Sequence, residues 1–303
     1  MKTAITGATG LIGRALVQKL SSSGHSITVL ARNATKAQSQ FPDAAVVPWE
    51  STHSPPPEGS FEDIETVIHL AGESIAGKRW SASRKEVIRE SRVLGTRHIV
   101  SAIRECKHPP RTLISGSAVG FYGNRVDEEL DEKSPAGSGF LSKVCREWEE
   151  EVESVSKVGT RVVLLRTGIV LSTEDGALAK MLPPFRFFVG GPLGNGTQWM
   201  SWIHLQDEVG LILHAIENAD VSGPINATAP EPVTNTDFSK LLGKVLGRPA
   251  FLPAPAFALR LLLGEMADVL LLQGQRVFPR KALDSGYEFK FPTLESALKD
   301  LLV

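Results

Sequence analysis

Three glycines at a spacing of three stand in the run Thr6-Gly7-Ala8-Thr9-Gly10-Leu11-Ile12-Gly13, directly after a short strand-like stretch at Thr3–Thr6. This arrangement suits phosphate binding. One glycine lets the backbone turn sharply, another lets it approach a pyrophosphate, and a third lets the following helix pack close to the strand. The free N–H groups and the dipole at the start of that helix favour the phosphate charge. The expected contacts are Gly7, Thr9, Gly10, Leu11, Ile12 and Gly13. The spacing is G-x-x-G-x-x-G, not G-x-G-x-x-G.

The end of the second strand discriminates between dinucleotides. It reads Ala31-Arg32-Asn33, with Lys36 nearby and no acid in that stretch. A carboxylate at this place would hold a ribose 2′-hydroxyl. An arginine forms a charge-assisted pair with a 2′-phosphate instead. Arg32 therefore points to NADP(H) rather than NAD(H) as cofactor.

The elements that must position these residues follow from apolar patterning. The first half alternates short apolar runs with helical patterns, which signals a parallel sheet with crossover helices. Strands are expected at Thr3–Thr6, Ser26–Ala31, Ala44–Val47, Glu65–Leu70, Arg111–Ser115 and Arg161–Leu165. Helices are expected at Leu11–Ser22, Ser81–Glu105 and Ser138–Ser156, and Pro55-Pro56-Pro57 marks a surface loop. Beyond these, Gly190–Gly196 reads as a glycine-rich loop, Asp207–Asn218 and Asp237–Leu246 as helices, and Phe257–Leu272 as an apolar helix. The expected fold is α/β: a Rossmann-type doubly wound parallel sheet with a smaller, mixed C-terminal lobe. Residues 1–167 form the nucleotide-binding part and 168–303 the substrate-side and C-terminal lobe.

Composition narrows the partners. The chain has 303 residues, 42% hydrophobic and 22% charged, which excludes a disordered or fibrous protein. Thirty-three Lys+Arg against thirty-four Asp+Glu leave a net charge of −1, without the basic excess that a nucleic-acid partner wants. The same balance gives no attraction to an anionic membrane. The most apolar stretch, Ala256–Leu272, is broken by Arg260, Glu265 and Asp268, too many charges for a membrane span. Cys106 and Cys145 cannot build a disulfide framework or a metal site by themselves. No signal-peptide core precedes Gly7, so a cytoplasmic protein with a small-molecule substrate is expected. A homodimer is compatible with the sequence.

Several stretches resemble the extended short-chain dehydrogenase/reductase family. These are the Thr6–Gly13 loop, His69-Leu70-Ala71-Gly72, Ser115–Gly123 (SGSAVGFYG) and Trp202–Asp207 (WIHLQD). The resemblance is closer to its epimerase-like atypical branch, the cell-division-inhibitor-like sugar-nucleotide epimerases. The marks are His69–Ile75, Ser91-Arg92 with Gly95-Thr96, Phe140-Leu141 through Cys145 to Trp148-Glu149, Arg166–Leu171, Gly190–Trp202 and Asn226–Pro232. The resemblance implies cofactor contacts at Leu70, Ala71, Gly72, Glu73, Arg92 and Lys143, and a segment of unknown role near 250–300. It implies an NADP(H)-dependent oxidoreductase or epimerase of a small carbonyl or sugar-like compound.

The family's usual acid/base is a tyrosine four residues before a lysine, the lysine lowering the phenol's pKa and binding the nicotinamide ribose. Lys143 fits the lysine, but the position four residues earlier is Gly139. The only tyrosines are Tyr122 and Tyr287, and neither has a lysine four residues later. Three readings stand. Tyr122 reaches the site, with Ser117 (or its rival Ser115) holding a substrate carbonyl and Lys143 beside it. A different group serves, such as Glu73 or His204. Or the chain binds NADP(H) without turnover and acts through a partner. Cys145 is expected to be a buried small residue, His204 a structural hydrogen-bonding group, and Asp207 a helix cap. Trp199, Met200, Trp202, Phe185 and Phe187 either line a pocket or form core between the lobes.

Overall fold

The structure is a computed structural model describing all 303 residues. The first part alternates β1 (Lys2–Thr6), α1 (Leu11–Ser22), β2 (Ser26–Ala31), α2 (Ala34–Gln40), β3 (Ala45–Pro48), β4 (Thr66–His69), α3 (Ala82–Glu105) and β5 (Thr112–Ala118). Then come β6 (Glu129–Leu130), α4 (Phe140–Val152), β7 (Arg161–Thr167), β8 (Ile169–Leu171), α5 (Gly176–Arg186), β9 (Trp199–Met200), β10 (Trp202–His204), α6 (Leu205–Glu217) and β11 (Gly223–Ala227). The remainder is β12 (Val233–Thr234), α7 (Asn235–Leu246), α8 (Ala256–Leu263), α9 (Glu265–Ala267), β13 (Arg276–Val277), α10 (Arg280–Asp284) and α11 (Leu294–Leu302).

Seven strands form one sheet in the order β11-β7-β5-β4-β1-β2-β3, every neighbouring pair parallel. The expected doubly wound sheet is present. Its seventh strand, β11, comes from beyond residue 167. The chain winds outward from β1 through β2 to β3, then resumes on the other side at β4. That reversal leaves a crevice above the ends of β1 and β4, where α/β sheets bind ligands.

Both faces of the sheet are covered, so apolar strand residues find packing partners on both sides. Leu16 and Leu20 of α1 and Leu211 and Ile212 of α6 share one buried cluster with Ile5, Val163 and Leu165. Ile99 and Ile103 of α3 pack with Val67, Leu113 and Phe61 on the opposite face. A separate core joins Trp202, Met200, Leu178, Leu182 and Phe185 to Phe238, Leu242 and Leu298. Trp202, Met200 and Phe185 are therefore core, whereas Phe187 is 77% exposed.

Four local expectations are corrected. β5 runs on to Ala118, and a 3-10 turn at Val119–Tyr122 follows. The apolar run to Leu272 is not one helix, because Gly264 adopts φ +63 and ends α8. α2 and α5 fall outside the expected set: α2 is only seven residues long and α5 contains Pro183 and Pro184. α6 is capped by His204, whose Nδ1 accepts from the Gln206 N–H at 3.0 Å, and not by Asp207. Asp207 instead accepts the backbone N–H groups of Lys290 (2.7 Å) and Phe291 (2.9 Å), which ties the C-terminal segment to α6.

One buried acid has a measurable consequence. Glu208 on α6 is fully buried and accepts a hydrogen bond from Thr167 Oγ1 at 2.8 Å. Burial pushes its carboxyl up to about 8, against the single hydrogen bond from Thr167. The unfolded chain releases this proton near the ordinary 4.5 while the folded chain keeps it. The stability contribution is thus whole below about pH 4.5 and is lost as pH rises to about 8, with a slope of up to ~1.4 kcal/mol per pH unit. Glu208→Gln, which keeps the neutral shape, should match the parent near pH 4 and become the more stable protein by pH 8. Urea denaturation at several pH values checks this. A constant difference between the two would refute it.

Candidate functional site

The site begins with the exit of β1. Gly7 has φ +72, and a Cβ there would lie 2.6 Å from the Leu70 carbonyl carbon at the exit of β4. Only glycine allows the two strand ends to close on each other in this way. A Cβ on Gly13 would collide with the Gly7 carbonyl oxygen, so α1 sits directly on the loop. Gly10 differs: its added Cβ would meet only the Gly7 oxygen, at 3.3 Å, and the residue lines the crevice.

His69 holds the same junction from below. Its ring nitrogens are hydrogen-bonded to Thr6 Oγ1 (2.6 Å) and Thr96 Oγ1 (3.1 Å), and the Ala71 N–H donates to Thr6 Oγ1 at 3.3 Å. Burial lowers the imidazole to about 4, so it is neutral at physiological pH. Arg92 backs the next turn. Its Nη1 donates to the carbonyl oxygens of Glu73 and Ile88, both at 3.0 Å, and its guanidinium lies 5.3 Å from the Trp148 ring centre. The HLAG segment is therefore a braced backbone ledge.

Above these elements lies an open groove of about 590 Å³. It is lined by Gly7, Thr9, Gly10, Arg32, Leu70, Ala71, Gly72 and Glu73, all expected from sequence. Trp49, Glu50, Ser51, Thr52, Val87 and Glu90 also line it, and no local motif pointed to them. Leu11, Ile12 and Gly13 do not. Leu11 faces a second cavity with Arg14 and Phe41, and Gly13 works by packing. The acid-free reading of Arg32 is corrected by the fold. Its Nη1 lies 3.1 Å from Glu73 Oε1 and its Nε 4.0 Å from Glu50 Oε2, brought there from the exits of β4 and β3.

The three residues expected to carry chemistry are not gathered on one open face. Ser117 is buried and donates to Glu149 Oε1 at 2.5 Å. Tyr122 is buried too. Its hydroxyl donates to Asn226 Oδ1 (2.7 Å) and accepts from Arg166 Nη1 (3.0 Å). Burial pushes the phenol up to about 12 despite Arg166, the opposite of what a proton donor at neutral pH needs. The geometry makes Tyr122 a packed strut that does not line the groove. Lys143, on the first turn of α4, is exposed, with Glu147 Oε1 at 3.8 Å from its Nζ. Gly139 has φ +99, and nothing lies within 4 Å of an added Cβ. Space for a side chain exists there, but the backbone is one that glycine alone adopts easily.

The remaining candidates are structural. His204 Nε2 lies 3.2 Å from Asp300 Oδ2, and the ring stacks on Phe291 at 3.9 Å. Cys145 is buried, and its thiol is pushed up to about 12 by that burial, outweighing Arg92, so it is no nucleophile.

A parallel sheet with this strand order, and a glycine loop opening on its switch point, defines a Rossmann-type fold of the short-chain reductase kind. The model of the NAD dependent epimerase/dehydratase family matches residues 3–227, and a domain of unknown function, DUF1731, matches 254–301. The chain belongs to the NAD-dependent epimerase/dehydratase family. It is 44% identical over its whole length to the chloroplastic epimerase family protein SDR39U1 homolog of Arabidopsis thaliana, 87% of which is covered. It is 41% identical to the epimerase family protein YfhF of Bacillus subtilis, covering 100% of this chain and 98% of the relative. The crystal structure of human SDR39U1 (isoform 2) with NADPH aligns with a TM-score of 0.89 at 35% identity, covering 99% of both chains. A UDP-glucose 4-epimerase from Thermotoga maritima aligns at TM-score 0.80 but 20% identity, over 99% of this chain and 97% of that one, a likeness of fold alone.

The glycine geometry separates binding from folding. Gly10→Val should leave a folded protein whose NADPH affinity falls tenfold or more, because the side chain enters the groove. Gly13→Ala should lower the melting temperature as well, since overpacking there costs ~1–3 kcal/mol. Fluorescence titration and thermal denaturation of both variants check the pair. An unchanged affinity in folded Gly10→Val would remove the loop from the site.

Proposed function

We propose that the groove binds NADP(H), with the pyrophosphate over Gly10 and the adenosine 2′-phosphate at Arg32. The observation that carries this reading is one arginine at the end of β2, on the wall of the same groove as the glycine loop. Two facts support it: the chain belongs to a nucleotide-dependent family, and its human relative was crystallised with NADPH. Residues 1–167 serve the nucleotide, and 168–303 form the substrate-side and C-terminal lobe. Unpaired Cys106 and Cys145 fit a reducing, cytoplasmic setting.

On this reading the protein is an oxidoreductase or epimerase of a small carbonyl or sugar-like compound. The bound dinucleotide supplies or accepts a hydride. The chain's own part is to fix the pyrophosphate with backbone N–H groups and the 2′-phosphate with Arg32. Lys143 holds the nicotinamide ribose from the first turn of α4. Ser117 and Tyr122 belong to the buried network that fixes the exit of β5 beneath that ribose.

A second reading has its own observation. Gly139 stands where the family's tyrosine would titrate, and the nearest phenol, Tyr122, is enclosed. This favours an NADP(H)-binding protein with slow or no turnover, acting through a partner.

NADPH should bind at least tenfold more tightly than NADH, an arginine–phosphate pair adding ~1.5–3 kcal/mol. Arg32→Ala should erase most of that difference, as read by calorimetry. Equal affinities in the parent would end the proposal. A screen of carbonyl compounds with NADPH then separates the two readings. In an enzyme, Lys143→Met should raise the KM for NADPH and lower kcat. In a binding protein no compound is reduced, and NADPH is retained through purification, as mass spectrometry would detect.

A further inference from the structure

Arg32 does not stand alone on the groove wall. Its side chain is 65% exposed, and its Nη1 reaches Glu73 Oε1 at 3.1 Å. Glu73, in contrast, is fixed on every side. Its other oxygen, Oε2, accepts from Arg84 Nη1 at 3.1 Å. Its N–H donates to Ser91 Oγ at 3.1 Å, and its carbonyl oxygen accepts from Arg92 Nη1 at 3.0 Å. Arg84 is in turn held by the Ser74 carbonyl oxygen at 2.5 Å, and its side chain is only 13% exposed.

The two arginines on this carboxylate are therefore unequal. Arg84 is mostly enclosed and anchored, whereas Arg32 is free to swing. If Arg32 leaves, Arg84 still neutralises Glu73, so no uncompensated charge is left on the wall. Burial alone would raise the Glu73 carboxyl, but Arg84 and Arg32 together hold it below its ordinary range, so it stays an anion. A phosphate monoester and this carboxylate want the same donor fork on Arg32. Glu50 is placed worse, 4.0 Å from Arg32 Nε.

We propose that Glu73 is the chain's own counter-anion for Arg32, an internal competitor that the 2′-phosphate of the dinucleotide must displace, and hence a residue that sets the NADP(H)-over-NAD(H) preference. The inference rests on the reading of Arg32 above and adds a specificity-determining residue to it. The device restrains how tightly a 2′-phosphate is held while keeping Arg32 paired when none is bound. It also makes the preference depend on the exit of β4, which the sequence of β2 does not contain.

The test uses adenosine 2′,5′-bisphosphate and 5′-AMP as probes on the full chain, by calorimetry. Glu73→Gln should raise affinity for the bisphosphate five- to tenfold and change that for 5′-AMP less than twofold. In an Arg32→Ala background the same change should have no effect on either probe. Glu73→Asp, which draws the carboxylate back from Arg32, should give a smaller rise and serves if the glutamine variant folds poorly. An unchanged bisphosphate affinity in both Glu73 variants overturns the inference. So does an equal rise in the Arg32→Ala background, which would mean simple repulsion of phosphate, and so does an equal rise from Glu50→Gln. If Arg32→Ala leaves the ratio of the two affinities unaltered, the reading of Arg32 falls. If that ratio drops and Glu73→Gln leaves it where it was, only the role of Glu73 falls.

Discussion

The guanidinium of Arg166 holds together parts of the chain that would otherwise share little. It pairs in fork geometry with Glu149 on α4, Nε to Oε1 at 2.9 Å and Nη2 to Oε2 at 2.8 Å. Through its remaining nitrogen it holds the Tyr122 hydroxyl, and that hydroxyl holds Asn226 on β11. Asn226 Nδ2 donates to the Phe278 carbonyl oxygen at 3.0 Å, which brings in the C-terminal segment. A buried ion pair persists only when hydrogen bonds satisfy what the partners leave open, and losing one partner strands the other at a cost of ~3–5 kcal/mol. Here each polar group in the chain of contacts has a partner. Ser117 and Tyr122, which look reactive in sequence, are hydrogen-bonded within this network, which joins β5, α4, β7 and β11.

The groove obeys a different constraint. Where the winding of a parallel sheet reverses, two strand exits diverge and leave backbone facing upward. Gly7 lets those exits touch, His69 braces them between two threonines, and Arg92 supports the ledge from behind. None of these side chains needs to change its protonation to do this. The neutral imidazole and the desolvated arginine are scaffold, although both belong to residue types usually suspected of chemistry.

The C-terminal segment is fastened by polar contacts as well as by apolar packing. Asp207 captures two backbone N–H groups at 290 and 291, and Lys85 on α3 pairs with Glu265 on α9 at 2.5 Å. Trp80 meets Phe140 edge-on at 5.2 Å, so the loop before α3 and the start of α4 are joined near the same place. Lys85 also lies 5.2 Å from the Phe140 ring centre, so α3, the start of α4 and the C-terminal segment are linked at one place.

What the sequence determined by itself is local. Short, mainly apolar runs between helical periods specify a parallel α/β sheet, because strands buried on both faces bury most of their side chains. The glycine loop and Arg32 were legible because the roles expected of them rest on backbone freedom and formal charge, both properties of the residue itself. The tertiary structure alone decided which side chains are free. Glu73 lies 41 positions beyond Arg32, yet meets it because β4 and β2 flank β1. Tyr122 becomes a strut because Asn226 and Arg166 arrive from β11 and β7. Gly264 broke an apparent apolar helix through its backbone conformation, and Asp207 lost its expected role as cap to partners more than eighty residues away. Hydrogen bonding and desolvation depend on neighbours in space, and a linear pattern contains none of them.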